Sequence, residues 1–168
     1  NTIVEDKEGE IWIGTEAGPA VLYNASAIFD GGDFDVQQVL IEQDGVIQLL
    51  LETQNVIEIV VDGGDRKWFG TDGGGLFLMS ADGTKLIHDF NEDNSPLFSN
   101  NILALAINDN TGELYIGTDK GIMGYKGEAT EGADNLDDLY AYPNPVRPEY
   151  TGVIAIKGFM DESDVKIT

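Results

Sequence analysis

The chain of 168 residues holds 31 acidic and 9 basic side chains, a formal net charge of −22, one histidine and no cysteine. It lacks the basic footprint that nucleic acid requires, and an anionic membrane surface would repel it. Disulfide and thiolate chemistry are excluded, as is a multi-histidine metal site, and no run approaches the ~18 apolar residues of a membrane-spanning helix.

Taken in order, Val4 and Asp6 lead to Trp12-Ile13-Gly14-Thr15-Glu16 and Gly18, and a strand is expected over Ala20 to Tyr23. The acidic, Gly-containing stretch Asn24 to Asp35 reads as an insertion between strands. Phe34 to Ile41 alternates as an outer strand, Asp44-Gly45 is a hairpin turn, and Val46 to Leu51 is a further apolar strand. Gln54-Asn55 breaks it. Ile57 to Val61, Asp62 and Trp68-Phe69-Gly70-Thr71-Asp72 then repeat the opening phrase, with Gly74 and a strand over Leu76 to Met79. Asp82-Gly83 turns the chain into the outer strand Lys85 to Phe90, and Asn91 to Asn101 is a polar loop. The phrase returns as Ile102 to Ile107, Asp109, Tyr115-Ile116-Gly117-Thr118-Asp119 and Gly121, with a strand over Ile122 to Tyr125. No amphipathic helix is expected anywhere.

Anchored on Trp12, Trp68 and Tyr115, the three copies stand 56 and 47 residues apart. Self-similarity at about 40–50 residues marks a β-propeller or a related array. The physics of the phrase agrees with that. Its apolar run is one strand and its Asp/Gly/Asn cluster a hairpin turn. The aromatic-apolar-Gly-Thr run is the returning, buried strand, and its Gly is the point where a neighbouring backbone can come close. The architecture expected is all-β: residues 1–126 as about three four-stranded blades, an acidic linker over 127–138, and 139–168 as the truncated start of an immunoglobulin-like β-sandwich. In that last stretch Tyr142-Pro143-Asn144-Pro145 favours extended backbone, and Val153 to Lys157 and Asp164 to Ile167 read as short strands around a turn at Gly158 to Ser163.

The apolar-x-Asp…aromatic-apolar-Gly-Thr-acidic-x-Gly phrase resembles the two-component-regulator propeller repeat over residues 1–126. The run Leu139-Tyr140-Ala141-Tyr142-Pro143-Asn144-Pro145-Val146-Arg147-Pro148, with Ser163 to Thr168, is similar to the start of the type IX secretion C-terminal sorting domain. Together they resemble the propeller-containing surface proteins of type IX secretion. The resemblance implies a non-catalytic scaffold at the cell surface, on the exterior of the outer membrane. Its implied partners are the secretion machinery including a sortase, and anionic lipopolysaccharide or another glycan. The alternative is a periplasmic, oligosaccharide-sensing propeller of a hybrid two-component regulator, and the tail departs from that pattern.

No catalytic constellation is visible, and no cofactor or metal is expected. The turns Asp30-Gly31-Gly32-Asp33, Asp62-Gly63-Gly64-Asp65 and Asn91-Glu92-Asp93-Asn94 carry oxygen ligands but lack the alternating calcium loop with its distal Glu. They read as plain turns. His88 reads as a strand residue. Trp12, Trp68 and Tyr115 are of the type that stacks on sugars, but their fixed place in the phrase predicts blade core. Glu16, Asp72 and Asp119 are expected to cap turn N–H groups. Asp6, Gly14, Thr15, Gly18, Asp62, Gly70, Thr71, Gly74, Asp109, Gly117, Thr118 and Gly121 are expected to hold structural repeat positions. Three blades do not close a ring of about four to eight, so the sequence is expected to be part of a longer protein. Cut out of it, residues 1–168 are expected to self-associate through blade faces or strand edges, with 139–168 a candidate for cross-chain pairing.

Overall fold

The computed structural model describes residues 2–32, 34–43, 45–130, 140–142, 151 and 155–158. Contacts divide the chain into two units, Asn1–Thr130 and Glu131–Thr168. Asp33, Asp44, the expected linker beyond Thr130, the prolines at 143–148 and the expected strand Asp164 to Ile167 lie outside the described residues.

In the first unit, β1 (Ile3–Glu5), β2 (Ile11–Thr15) and β3 (Gly18–Leu22) form an antiparallel meander. The helix α1 (Ala27–Asp30) leads to β4 (Gln37–Gln38), which completes this sheet. A separate hairpin, β5 (Leu40–Gln43) and β6 (Val46–Leu49), follows. The second sheet is the meander β7 (Val56–Val61), β8 (Lys67–Thr71), β9 (Leu76–Met79) and β10 (Leu86–Phe90). The third is β11 (Ile102–Asn108), β12 (Glu113–Thr118) and β13 (Gly121–Lys126). These sheets are blades of an open, partial β-propeller, and the fold is all-β. In the second unit, β14 (Tyr140–Tyr142) pairs antiparallel with β15 (Ala155–Lys157).

Two expectations change. The outer strand of the first blade does not run unbroken from Phe34 to Ile41. Only Gln37 and Gln38 pair with β3. The buried Val39 then marks the point where the chain leaves the blade for the β5–β6 hairpin. The extra length of the first repeat is therefore split between the Asn24–Val36 stretch and this hairpin. The short α1 also stands where no helix was expected. It is a single turn closed by Gly31 in the left-handed region, at φ 69°.

The core lies between blades, because alternate residues of each β-strand point to opposite faces. Trp12, Val21, Val39 and Leu50 meet Val56, Ile59, Phe69 and Met79 in one buried cluster. The next residues along β8 and β9 supply the opposite face: Trp68, Leu76 and Leu78 meet Leu97, Ile102, Leu105, Leu114 and Ile116. Trp12 lies 5.9 Å from Phe69, ring centre to ring centre, and Trp68 lies 5.4 Å edge-on from Tyr125. Both tryptophans of the phrase are thus buried by the sheet that follows them.

Tyr115 is the exception and corrects the expectation that it is core. It is 47% exposed, because among the described residues no fourth sheet lies against its face.

The glycine inside the phrase serves the same packing. A Cβ on Gly14 would lie 2.9 Å from the Val56 carbonyl oxygen, and one on Gly70 would lie 2.6 Å from Ile102 Cγ2. At Gly117 the nearest atom, the Ala104 carbonyl oxygen, would be an ordinary 3.5 Å away. Gly14→Ala should therefore destabilise the first unit by about 1–3 kcal/mol through overpacking, while Gly117→Ala should stay within about 0.5 kcal/mol. Denaturant melts of both variants check this; equal losses would remove the close-approach explanation.

Candidate functional site

Each β-strand pair of the phrase turns on an acidic or amide side chain. In the first copy Asp6 Oδ1 accepts the N–H groups of Glu8 (3.1 Å) and Glu10 (2.8 Å). In the second, Asp62 Oδ1 accepts those of Gly64 (2.9 Å) and Arg66 (3.0 Å). The local reason is the short loop, whose inward N–H groups have no ladder partner. In the third copy the residue at this position is Asn108, not Asp109. Tyr115 pairs with Ala106, as Trp12 pairs with Val4 and Trp68 with Val60, so the register places Asn108 opposite the turn. Asn108 accepts the Thr111 N–H through its side chain, and Asp109 is exposed. One extra loop residue had aligned the wrong acid.

The other oxygen of Asp6 reaches into the seam between blades. Asp6 Oδ2 accepts Trp12 Nε1–H at 2.9 Å and pairs with Lys67 Nζ at 2.9 Å. Lys67 is 1% exposed. Its ammonium also meets Asp65 Oδ2 at 3.0 Å, donates to the Ala81 carbonyl and stands 5.1 Å over the Trp12 ring. The Lys7 N–H donates to Asp65 Oδ1 at 2.9 Å, a second bond between the first and second blades. Burial raises the Asp6 pKa, but the Lys67 ammonium, the Glu10 N–H and the Trp12 indole outweigh it, and the net shift is downward. Glu10, desolvated and beside the Asp6 and Glu8 carboxylates, is pushed up. Around Asp62 the cation comes instead from its own turn, Arg66 at 2.8 Å, because the residue matching Lys67 in the third blade is Leu114. Sequence reading missed Lys67. The available signal was a lysine inside Lys67-Trp68-Phe69-Gly70-Thr71, a run otherwise fit only for burial.

At the opposite end of the sheets, the phrase's threonine closes the turn. Thr15 Oγ1–H donates to the Gly18 carbonyl (2.6 Å), Thr71 to that of Gly75 (2.8 Å) and Thr118 to that of Gly121 (2.9 Å). Gly75 therefore replaces Gly74 as the partner of Gly18 and Gly121, since the middle turn is one residue longer. These three glycines have φ of 83°, 92° and 140°, values that L side chains rarely adopt. Threonine also does the capping expected of the acids: Thr15 Oγ1 accepts the Ala17 N–H and Thr118 Oγ1 that of Lys120.

Glu16 and Asp72 are exposed. Asp119 binds Asn101 Nδ2–H at 3.2 Å and has its pKa lowered by hydrogen bonds from Ser99 and Asn101. Glu92 and Lys120 pair at 2.6 Å. Connecting loops tie this end together, the Gln54 carbonyl taking the Gly18 N–H and the Asn55 and Asn100 carbonyls those of Asp72 and Gly73.

The remaining candidates stay apart. His88 is exposed in β10, beside Phe90. Asn91 and Asn94 satisfy each other's backbone N–H groups. Among the described residues no three His, Cys, Asp or Glu side chains converge as a metal site. What the arrangement offers is a seam of buried charge between the first two blades and a loop end with exposed carboxylates.

Residues 1–17 match the family model of the two component regulator propeller. Among solved structures the chain is similar to PorZ of Porphyromonas gingivalis, described as an essential bacterial surface component of the type-IX secretion system, with 38% identity over 94% of this chain and a TM-score of 0.73. The chain is a PorZ-like propeller-repeat protein. It also shares its fold with the extracellular domain of BT3049 from B. thetaiotaomicron, assigned to the hybrid two-component systems, at 22% identity over 83% of the chain and a TM-score of 0.57. The chain spans 21% of the length of PorZ and 19% of the BT3049 domain. No curated protein sequence matches it.

Removing one partner of a buried ion pair leaves the other uncompensated, at a cost of about 3–5 kcal/mol. Lys67→Met should show a loss of that order in denaturant melts, and adding Asp6→Asn should recover part of it. The folded pKa of Asp6 is lowered, so its contribution is present above the unfolded value and is lost as pH falls through the folded one. Acid unfolding followed by tryptophan fluorescence should therefore be less pH-dependent in the double variant. An unchanged acid limb would rule Asp6 out as a contributor.

Proposed function

We propose that the chain is part of a non-catalytic surface scaffold of type IX secretion, engaging anionic lipopolysaccharide and the complex that holds the sortase. The single observation that carries this is the 38% identity to PorZ across 94% of the chain. On this reading the protein acts outside the cytoplasm, at the outer surface. Residues 1–126 supply blades, the stretch from 127 a linker, and 139–168 the start of a β-sandwich sorting domain, to which the β14–β15 hairpin contributes. The repeat positions Asp6, Trp12, Gly14, Thr15 and their counterparts serve blade packing, and recognition falls to the loops.

A net charge of −22 cannot attract a polyanion. Lipopolysaccharide would then be held through its sugars, by hydrogen bonds and apolar contact. The match of residues 1–17 to the two-component-regulator repeat favours a second reading, an extracytoplasmic segment that senses an oligosaccharide.

The test is to exchange residues 1–126 in the full-length parent for the matching blades of a two-component sensor, and to follow export of type IX cargo together with binding of purified lipopolysaccharide. The secretion reading expects cargo to accumulate inside the cell, and lipopolysaccharide binding by the unmodified parent to persist in moderate salt. Normal export with the exchanged blades would overturn it in favour of the sensor.

A further inference from the structure

The connection from the first blade to the second leaves the β1–β4 sheet at Val39, forms the β5–β6 hairpin and returns at Leu50, whose N–H donates to the Val39 carbonyl at 2.8 Å. Between this hairpin and the β9–β10 half of the second blade lies a groove of about 310 Å³, at the lower end of the range spanned by ligand pockets. We propose that the groove seats an uncharged pyranose unit of the lipopolysaccharide's polysaccharide. This rests on the secretion reading above and adds to it the place and the chemical class of the contact.

The groove is walled by the face of the blade and by the hairpin. On the blade side Met79 lies directly opposite Leu86, and Phe77 directly opposite Asp89, and directly opposed residues share a face. Met79 is buried, whereas Leu86 is 49% exposed. This wall is therefore apolar, with one carboxylate across from an aromatic ring. On the hairpin side Ile41 adds a further apolar group, and the segment Leu51 to Gln54 completes the lining. That segment is held as a turn by the Gln54 N–H on the Leu51 carbonyl at 2.8 Å, and is tied to the first blade by the Gly18 N–H on the Gln54 carbonyl at 2.9 Å. Leu51 has φ 50°, a left-handed value that costs a non-glycine residue free energy and gathers at ligand clamps. Blade packing does not require such a groove: the second connection, Asn91 to Asn101, has no hairpin, and the Trp68 seam closes without one.

The chemistry of the lining selects the ligand class. Among the described residues no Lys or Arg lines the groove while Glu52 and Asp89 do, so a phosphate or carboxylate would meet like charge with no cation to hold it. A bare cation would suit the two acids only. Gln54 Nε2–H donates to Thr53 Oγ1 at 3.4 Å, which leaves the Thr53 hydroxyl proton for an acceptor that a cation does not have. A sugar hydroxyl both donates and accepts, and so suits carboxylate and hydroxyl alike. A pyranose also presents a C–H face, which fits the apolar wall and the negative face of an aromatic ring. Glu52, Thr53 and Asp89 are exposed and so within reach of a ligand from solvent.

The experiment uses the full-length parent and, as probe, the polysaccharide released by mild acid from purified lipopolysaccharide of the same organism, followed by calorimetry and hydrogen exchange. The expected result is saturable binding that does not weaken as salt rises, because no charge pair carries it, with slowed exchange at 48–54 and 86–89. Leu86→Trp, which fills the groove from an exposed position, should weaken binding about tenfold or more. Asp89→Ala, which removes one acceptor and leaves the groove open, should weaken it about two- to tenfold. Should Leu86→Trp fail to fold, the Asp89→Ala affinity decides. Polysaccharide binding that the groove variants leave unchanged would overturn the groove and leave the secretion reading standing. Binding that is lost as salt rises would show a charge-driven contact and would overturn the uncharged ligand. Absence of polysaccharide binding by the unmodified parent would overturn both the groove and the lipopolysaccharide part of that reading.

Discussion

The structure of the first unit depends on one constraint: a propeller blade has two apolar faces and no core of its own. Everything distinctive in the repeated phrase serves the contact with the next sheet. Trp12 needs Phe69 to cover it, and Trp68 needs Tyr125 and the strands around Leu105. Gly14 and Gly70 exist because that sheet comes too close for a side chain. Gly83 serves the same seam from the outer hairpin of the second blade, where a Cβ would lie 2.5 Å from the Trp12 ring. The phrase is a description of an interface that recurs.

Polar groups fix the position of that interface. Apolar packing alone tolerates sliding, whereas the Asp6–Lys67 contact has one geometry. Its carboxylate spends one oxygen on its own turn and the other on the neighbouring blade. Buried charges are costly to desolvate, but this one is met by an indole N–H, an ammonium and two backbone N–H groups. The second interface omits the cross-blade cation. Arg66 neutralises Asp62 locally, and Leu114 extends the apolar contact where Lys67 would otherwise stand. The two seams therefore differ in how much of their specificity is ionic.

The loops at the threonine end follow a different logic. Their backbone groups are satisfied among themselves and by the connecting segments, which leaves carboxylates such as Glu16 and Asp72 facing solvent. One set of residues thus holds the blades against each other, and another set faces solvent. The β5–β6 hairpin, present in the first inter-blade connection and replaced by the Asn91 to Asn101 loop in the second, is the clearest departure from the repeat.

The sequence by itself determined the class, the period and most of the strands. The reason is that a phrase repeated three times averages out local ambiguity, and Asp-Gly turns and alternating apolar runs act over a few residues. It placed Gly14 and Gly70 at close approaches, because a glycine inside an apolar strand leaves room for a neighbouring chain. Tertiary structure decided what depends on register and on neighbours. A one-residue difference in loop length moved the turn role from Asp109 to Asn108 and the φ-positive glycine from Gly74 to Gly75. Counting from the aromatic could not detect this, since the register is set by pairing with the adjacent strand. Tyr115 repeats the position of Trp12 and Trp68 but is exposed, because burial belongs to the sheet that follows and not to the residue. Lys67 is buried for the converse reason: its partner Asp6 lies 61 residues earlier in the chain, and only the stacking of two blades brings the charges together.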